Sequence, residues 1–421
     1  MKTIMKIAMV ALSLACVSAY AQDATFDPRS LAMGGTGVTS SDMSNAAFHN
    51  PAMLASAKEG DSFALELPVV AVRLLDPNSL RNDASVLSTN STNLTNALNA
   101  FSANPIPANA TAAGAALTAF NGSLNTINHK TLSGNALVGT VLSIPSRQNA
   151  FSLYVDMRAE VGAQFNYAAG DQTTITNLST NLTNCGNGVA ASCTAANASV
   201  GAGGKVAGLQ SQLLVRGVVA KDIGIAAARH FDNFYDLDIG ITPKFTQYTT
   251  YDYAAGAQNN AKVSLNQGQK NDSAFSMDVG AAKTFQHGAD DLKAGMAIKN
   301  IIPSSFTTVL GNRIDVKPQA TVGVSYLTKL TSSGIDLDII PNKAMMTGFN
   351  KDSQYVRLGA EFDAWRWAQI RIGYRHDIKG NYPGLPSIGL GLSPFGIHFD
   401  LSVAAASKQE MAASLQTGFR F

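Results

Sequence analysis

The side chains from which a reactive site would first be built are few and scattered. Cys185 and Cys193 sit in Asn184-Cys-Gly-Asn-Gly-Val-Ala-Ala-Ser-Cys193, a short Gly/Asn loop. Outside the cytoplasm such a pair reads as a disulfide, with two free thiols as the alternative, because a redox centre calls for Cys-x-x-Cys. His49, His129, His230, His287 and His376 stand in separate segments, and of these only His376 has an acidic residue, Asp377, immediately beside it. No Gly-x-Ser-x-Gly elbow, His-Glu-x-x-His pair or P-loop occurs, so neither enzyme chemistry nor a metal centre nor a cofactor is expected. Gly34-Gly-Thr-Gly37 has the flavour of a phosphate cradle but lacks the lysine that completes one.

Charge says more through its spacing than its amount. Lys and Arg number 31 against 29 Asp and Glu, and charged residues make up only 14% of the chain, which gives no footprint for nucleic acid. Leu237, Ile239, Ile241 and Phe245 alternate with Asp238, Gly240, Thr242 and Lys244. Val356, Leu358, Ala360 and Phe362 alternate with Arg357, Gly359 and Glu361, and Ile370, Ile372 and Tyr374 with Arg371, Gly373 and Arg375. Period two with one apolar and one charged face describes strands between two different media. A midplane Arg or Lys turned toward lipid costs roughly 2 to 4 kcal/mol. Glu66, Asp238, Lys244, Arg357, Glu361, Arg371, Arg375, Asp400 and Arg420 are therefore expected to face a lumen.

About fourteen such strands can be placed between residues 62 and 421, and their connections alternate long and short. Long links at 74–133 and 167–214 contrast with short ones at 145–149, 232–236 and 287–290. A soluble sandwich has no reason to gather its long loops at one end, whereas an outer-membrane barrel has short periplasmic turns and long extracellular loops. The pattern predicts an all-β, transmembrane antiparallel β-barrel whose first strand runs outward. Leu94, Leu98 and Phe101, then Leu117, Phe120, Leu124 and Ile127, repeat at helical spacing and predict a helical hairpin over the outer mouth. Phe231, Phe234, Tyr235, Trp365 and Trp367 fall at the short turns, where an aromatic girdle belongs. Leu415, Thr417, Phe419 and Phe421 alternate to the end of the chain, and this strand resembles the terminal signal read by the barrel insertion machinery.

Two segments precede the first strand. Residues 1–21 carry Lys2, Lys6, an apolar run from Ile7 to Val17 and Ala19-Tyr20-Ala21, the pattern of a secretory signal peptide. Residues 22–61 then hold Arg29-Ser-Leu-Ala-Met33-Gly34-Gly35-Thr-Gly37 and Asp42, followed by Asn50-Pro51-Ala52. This stretch is too glycine-rich for a stable helix and too irregular for a strand, yet its apolar residues need burial. Arg29 and Asp42 suit lumen charges of opposite sign, and Asn50-Pro51 ends any helix begun at Asp42.

The Ala-Met-Gly-Gly-Thr-Gly opening, the Asn50-Pro51-Ala52 sequel, the strand pattern and the C-terminal Phe resemble the FadL-like superfamily of outer-membrane barrels. Within it the chain is most similar to the plasmid conjugal-transfer TraF-like family, in which Ile241-Thr242-Pro243-Lys244 is also typical. The resemblance implies a hatch at 22–61 inside a barrel at 62–421, and passage of a hydrophobic or small amphipathic solute. The alternative is a non-transporting component of a conjugation or secretion apparatus, binding partners through its long loops. Outer-membrane lipid and the insertion machinery are expected partners in either case. The Asn/Ser/Thr/Ala-rich link at 74–133 lacks the dense apolar face of a fatty-acid capture site.

Overall fold

A computed structural model describes residues 27–56, 61–256, 267–346, 348–364, 367–407 and 410–421. The leader expected at 1–21 and Trp365 lie outside the described residues. In chain order the strands are β1 (Ala64–Leu75), β2 (Thr131–Ile144), β3 (Ala150–Asn166), β4 (Val200–Gly201), β5 (Lys205–Val206), β6 (Gln212–Phe231), β7 (Leu237–Gly256), β8 (Gln269–His287) and β9 (Asp290–Lys299). They continue with β10 (Ser304–Thr307), β11 (Arg313–Val316), β12 (Gln319–Leu327), β13 (Thr331–Asp338), β14 (Tyr355–Ala364), β15 (Ala368–Asp377), β16 (Leu385–Leu392), β17 (Ile397–Ala406) and β18 (Glu410–Arg420).

Fourteen of these close into one barrel, in the order β1-β18-β17-β16-β15-β14-β13-β12-β9-β8-β7-β6-β3-β2. Every pairing is antiparallel, and β1 closes the ring against β18 from Ala64↔Arg420 to Leu75↔Glu410. The β2–β3 pairing is continuous from Thr131↔Gln164 to Ile144↔Phe151, while β1 shifts register between Glu66 and Val69. Alternation is the reason for this architecture. Leu153, Val155, Ile223, Ile225, Ile370, Ile372, Leu401 and Val403 are exposed on the outside, an apolar band that needs an apolar solvent. Phe231, Phe234, Tyr235 and Trp367 are exposed at or beside the short-turn end.

The outer end carries a helical cap. α1 (Pro28–Ala32) and α2 (Ala46–His49) precede the barrel, and α3 (Leu80–Ala103), α4 (Pro107–Ile127), α5 (Ala169–Gly186) and α6 (Ala190–Ala198) form the cap. Asp76 starts α3 by accepting from the Leu80 and Arg81 amides at 2.6 and 3.2 Å, and Pro107 opens α4. Leu94, Leu98, Phe101, Leu117, Phe120, Leu124, Ile127, Ile175, Leu178 and Leu182 bury their side chains in one shared core. The periodicity anticipated the first hairpin. It did not anticipate α5 and α6, whose Thr- and Asn-rich sequence is held by Leu178 and Leu182 on one face and by the Cys185–Cys193 disulfide, Cα–Cα 4.7 Å.

Candidate functional site

Residues 27–56 lie inside the barrel at its short-turn end, and nearly all of them are buried. Local chemistry shapes the segment. Asp27 caps α1 by accepting from the Ser30 amide at 3.0 Å, with Pro28 in the first turn. Gly34 and Gly35 adopt φ of 71° and 92°, reversing the chain where a side chain would strain it. Asn50 ends α2, accepts from the Ala52 amide at 3.1 Å and donates to the Val38 carbonyl at 2.7 Å, so that Pro51–Leu54 can form a single 3-10 turn. Asp42 does not start a helix as its position suggested. It accepts from the Ser44 amide at 3.0 Å in a turn, and α2 begins later, at Ala46.

The wall is contoured to receive this segment. Inward-facing glycines pair across neighbouring strands as Gly240↔Gly280, Gly295↔Gly323, Gly334↔Gly359 and Gly359↔Gly373. A Cβ at Gly240 would collide with Pro51 and Ala52, at Gly359 with Met33, and at Gly373 with Met33 and Gly34. At Gly323 it would come within 2.8 Å of Val38, and at Gly389 within 2.5 Å of Ala32. The segment's Leu31, Ala46, Ala47, Phe48, Met53 and Leu54 share a core with Val69, Leu137, Val141 and Tyr154 of the wall. Phe48 meets Tyr154 edge-on at 5.3 Å between ring centroids.

Ion pairs bind segment to wall. Arg29 forks onto Glu361 of β14, Nε–Oε2 3.0 Å and Nη2–Oε1 2.9 Å. Glu361 also accepts from Arg371 at 2.6 Å, and Arg371 reaches Asp400 at 2.6 Å. Arg420 of β18 donates to Asp42 at 3.0 Å and lies 3.5 Å from both Glu66 and Asp400. Within the segment, His49 Nε2 stands 2.5 Å from Asp27 and Asn45 donates to Asp27 at 2.7 Å. Burial pushes the Asp27 carboxyl up, but the His49 charge and the bonds from His49, Ser30 and Asn45 outweigh it and hold the group at about 2. Burial likewise raises Asp42, and the Arg420 and Arg29 guanidiniums bring it below the ordinary carboxylate range. Below the segment a cavity of about 210 Å³ is lined by Arg29, Asp42, Lys293, Glu361, Arg371 and Arg420 among others.

The other inward charges sit higher or around the wall. Lys244 pairs with Asp278 at 2.8 Å, Arg357 with Asp338 at 2.6 Å, Arg375 with Glu410 at 2.7 Å, and Asp238 with His230 at 2.8 Å. Asp336 of β13, which the sequence reading passed over, accepts from the Gly37 and Val38 amides at 2.7 and 3.0 Å. Asp156, Arg158 and Glu160 on β3 were also passed over, although their alternation places them on one face. Asp27 is a local helix cap, but its pairing with His49, and those of Glu410 and His398, join residues distant in the chain that no local pattern could match. His376 points outward and is exposed, while Asp377 accepts from four backbone amides, those of Gln354, Lys379, Asn381 and Tyr382, and so organises a loop. Phe419 and Phe421 are exposed, and the Phe421 carbonyl accepts from the Ser62 and Phe63 amides at 2.6 and 2.9 Å. His230, Asp232 and Asp236 gather at a short turn, where Arg147 already approaches His230 Nε2 at 2.9 Å.

Comparisons extend this geometry to known proteins. The sequence profile of the family described as "F plasmid transfer operon, TraF, protein" matches residues 47–338. No curated protein sequence matches the chain. Among solved structures, the deltaS2S3 mutant of the monoaromatic hydrocarbon channel TodX shares 10% identity over 96% of this chain and 100% of its own, with a TM-score of 0.50. The toluene transporter TbuX of Ralstonia pickettii shares 15% identity over 94% and 98%, with a TM-score of 0.49. A Pseudomonas aeruginosa FadL homologue shares 8% over 96% and 99%, at 0.43. The TodX likeness is one of fold.

Proposed function

From the premise that this chain belongs to the TraF family of F plasmid transfer operon proteins, we propose that it is a bacterial outer-membrane barrel that passes a hydrophobic or small amphipathic solute, with residues 27–56 as its hatch. The observation that carries this reading is the nature of the docking. The segment is held by ion pairs, hydrogen bonds and a track of glycines, all reversible, and it fills the lumen at the short-turn end. Glycines of the wall seat the segment closely at Met33, Gly34 and Pro51, alongside the apolar contact of Phe48 with Tyr154. The similarly folded TodX is a monoaromatic hydrocarbon channel, which fits a small apolar solute. The cap supports the same choice, because Leu94, Leu98, Phe101 and Phe120 are engaged in its own core and offer no open apolar face.

Uptake of toluene into liposomes holding the purified barrel tests the proposal. Flux that rises when the segment is displaced together with any other obstruction of the lumen supports it; no flux through a folded barrel so opened sinks it. The family's description favours a second reading, a non-transporting component of a plasmid transfer apparatus that binds partners through its cap. A deletion strain with unchanged transfer frequency in a mating assay removes that role. In both readings Phe419 of β18 and Phe421 just beyond it serve as the signal for the insertion machinery, so removing Phe421 should lower the assembled fraction on a heat-modifiability gel.

A further inference from the structure

The lumen has a second obstruction, above the N-terminal segment, and it is built from the connection between β9 and β12. Ser304–Thr307 and Arg313–Val316 form a hairpin whose two strands alternate, pairing Phe306 directly with Ile314. Phe306, Ile314 and Val316 are buried, whereas Ser305, Thr307 and Arg313 are exposed, so the hairpin has one apolar and one wet face. Its apolar face does not meet other outer loops alone. It packs on the inner wall of the barrel, against Val218 of β6 and Tyr248 of β7, with Met345 alongside. The Phe306 and Tyr248 rings lie 4.6 Å apart.

A polar latch holds the hairpin tip. Asp252, on the inward face of β7, accepts from Thr308 Oγ1 at 2.5 Å and from Asn312 Nδ2 at 2.6 Å, with Arg216 Nε at 3.3 Å. All three approach the same carboxylate oxygen. The tip is closed on itself, the Thr308 amide donating to the Asn312 carbonyl at 2.8 Å. A connection that merely bridged two strands would gain nothing from turning three apolar side chains into the lumen and presenting Thr308 and Asn312 to a buried carboxylate of the wall.

We infer that residues 304–316 are an outer gate that seals the lumen independently of the N-terminal segment, so that a conducting state requires both to move. The inference rests on the transport reading above and goes beyond it by assigning a second closure and its latch. The Asp252 contacts hold the gate, and the Phe306–Tyr248 contact makes it tight. Among the described residues the hairpin's buried cluster is separate from the one that holds residues 27–56, so the two seals release separately.

Potassium chloride conductance of the full-length protein in planar bilayers tests this. One variant, Gly373→Leu, displaces the N-terminal segment. A second, Thr308→Val with Asn312→Ala and Phe306→Ser, strips the latch and the apolar contact without altering a barrel strand. Heat-modifiable migration shows that each variant is a folded barrel. The expected result is near-background conductance for either variant alone and at least a tenfold rise when they are combined. If Gly373→Leu alone conducts as well as the combination, the outer gate is overturned while the hatch stands. If the hairpin variant alone conducts fully, the lower segment is no seal, and both the hatch and the two-gate inference fall. A folded combination that stays closed overturns the inference together with the transport reading.

Discussion

At the scale of single residues, Arg29 is the pivot of the lower lumen. It is buried and makes its bidentate bond to a carboxylate on the far side of the sequence, Glu361. Removing one partner of a buried pair is costly, so Arg29→Ala should weaken docking of the segment by roughly 3 kcal/mol. With opening fast relative to cleavage, that is about a hundredfold faster proteolysis within 27–56, and pairing it with Glu361→Ala should recover part of the loss. Asp27 gives a pH-dependent counterpart. Its carboxyl lies at about 2 in the folded chain against an ordinary 3.8, a depressed value. Its contribution, about 2 kcal/mol, is therefore full above pH 4 and disappears as pH falls from about 4 toward 2. Protease protection of the segment should fall through that window in the wild type, and Asp27→Asn should have lost this component already at pH 7. A wild-type profile flat from pH 5 to 2 would contradict the assignment. Sequence alternation could show that Glu361 and Arg371 face inward; it could not show that Arg29 would reach Glu361, because register between segments so far apart is a property of barrel closure.

At the scale of elements, the wall glycines and the cap helices make opposite demands. Gly373→Leu puts a side chain where Met33 and Gly34 lie, and the expected outcome is a folded barrel whose segment is released to protease. Gly122, within α4, has open space around its absent Cβ. There Gly→Ala should stabilise the cap by up to about 1 kcal/mol, read as slower hydrogen exchange across 107–127. Both positions are glycines, and only the structure tells them apart. The strands themselves were legible, because two-residue alternation and turn punctuation are local. The cap was legible in part, since Leu117, Phe120, Leu124 and Ile127 repeat at helical spacing, whereas α5 and α6 include threonines such as Thr174, Thr176, Thr180 and Thr183, whose hydroxyls donate back to helix carbonyls four residues earlier and leave little apolar periodicity to read. The inward hairpin of Phe306 and Ile314 was missed because four-residue strands inside a long connection read as loop.

At the scale of the whole molecule, the barrel and the cap are separate bodies of packing joined by β1–β2 and β3–β6. The disulfide belongs to the cap alone. Reduction should therefore loosen residues 185–199, seen as new proteolytic cuts there, while heat-modifiable migration of the barrel is unchanged; loss of that migration on reduction would contradict the division. The two functional readings meet here as well, since a cap with its own apolar core can bind a partner whether or not the lumen below it conducts.

The seam of the barrel bears on how the protein is made. β1 and β18 are the first and last barrel strands of the chain, and Glu66 of the one and Arg420 of the other lie 3.5 Å apart, with Asp42 of the enclosed segment 3.0 Å from that same Arg420. The contact that helps shut the ring is thus shared with its contents. Ring closure and docking share one arginine, so Arg420→Ala should slow barrel assembly and loosen the segment together, whereas Gly373→Leu should loosen the segment alone.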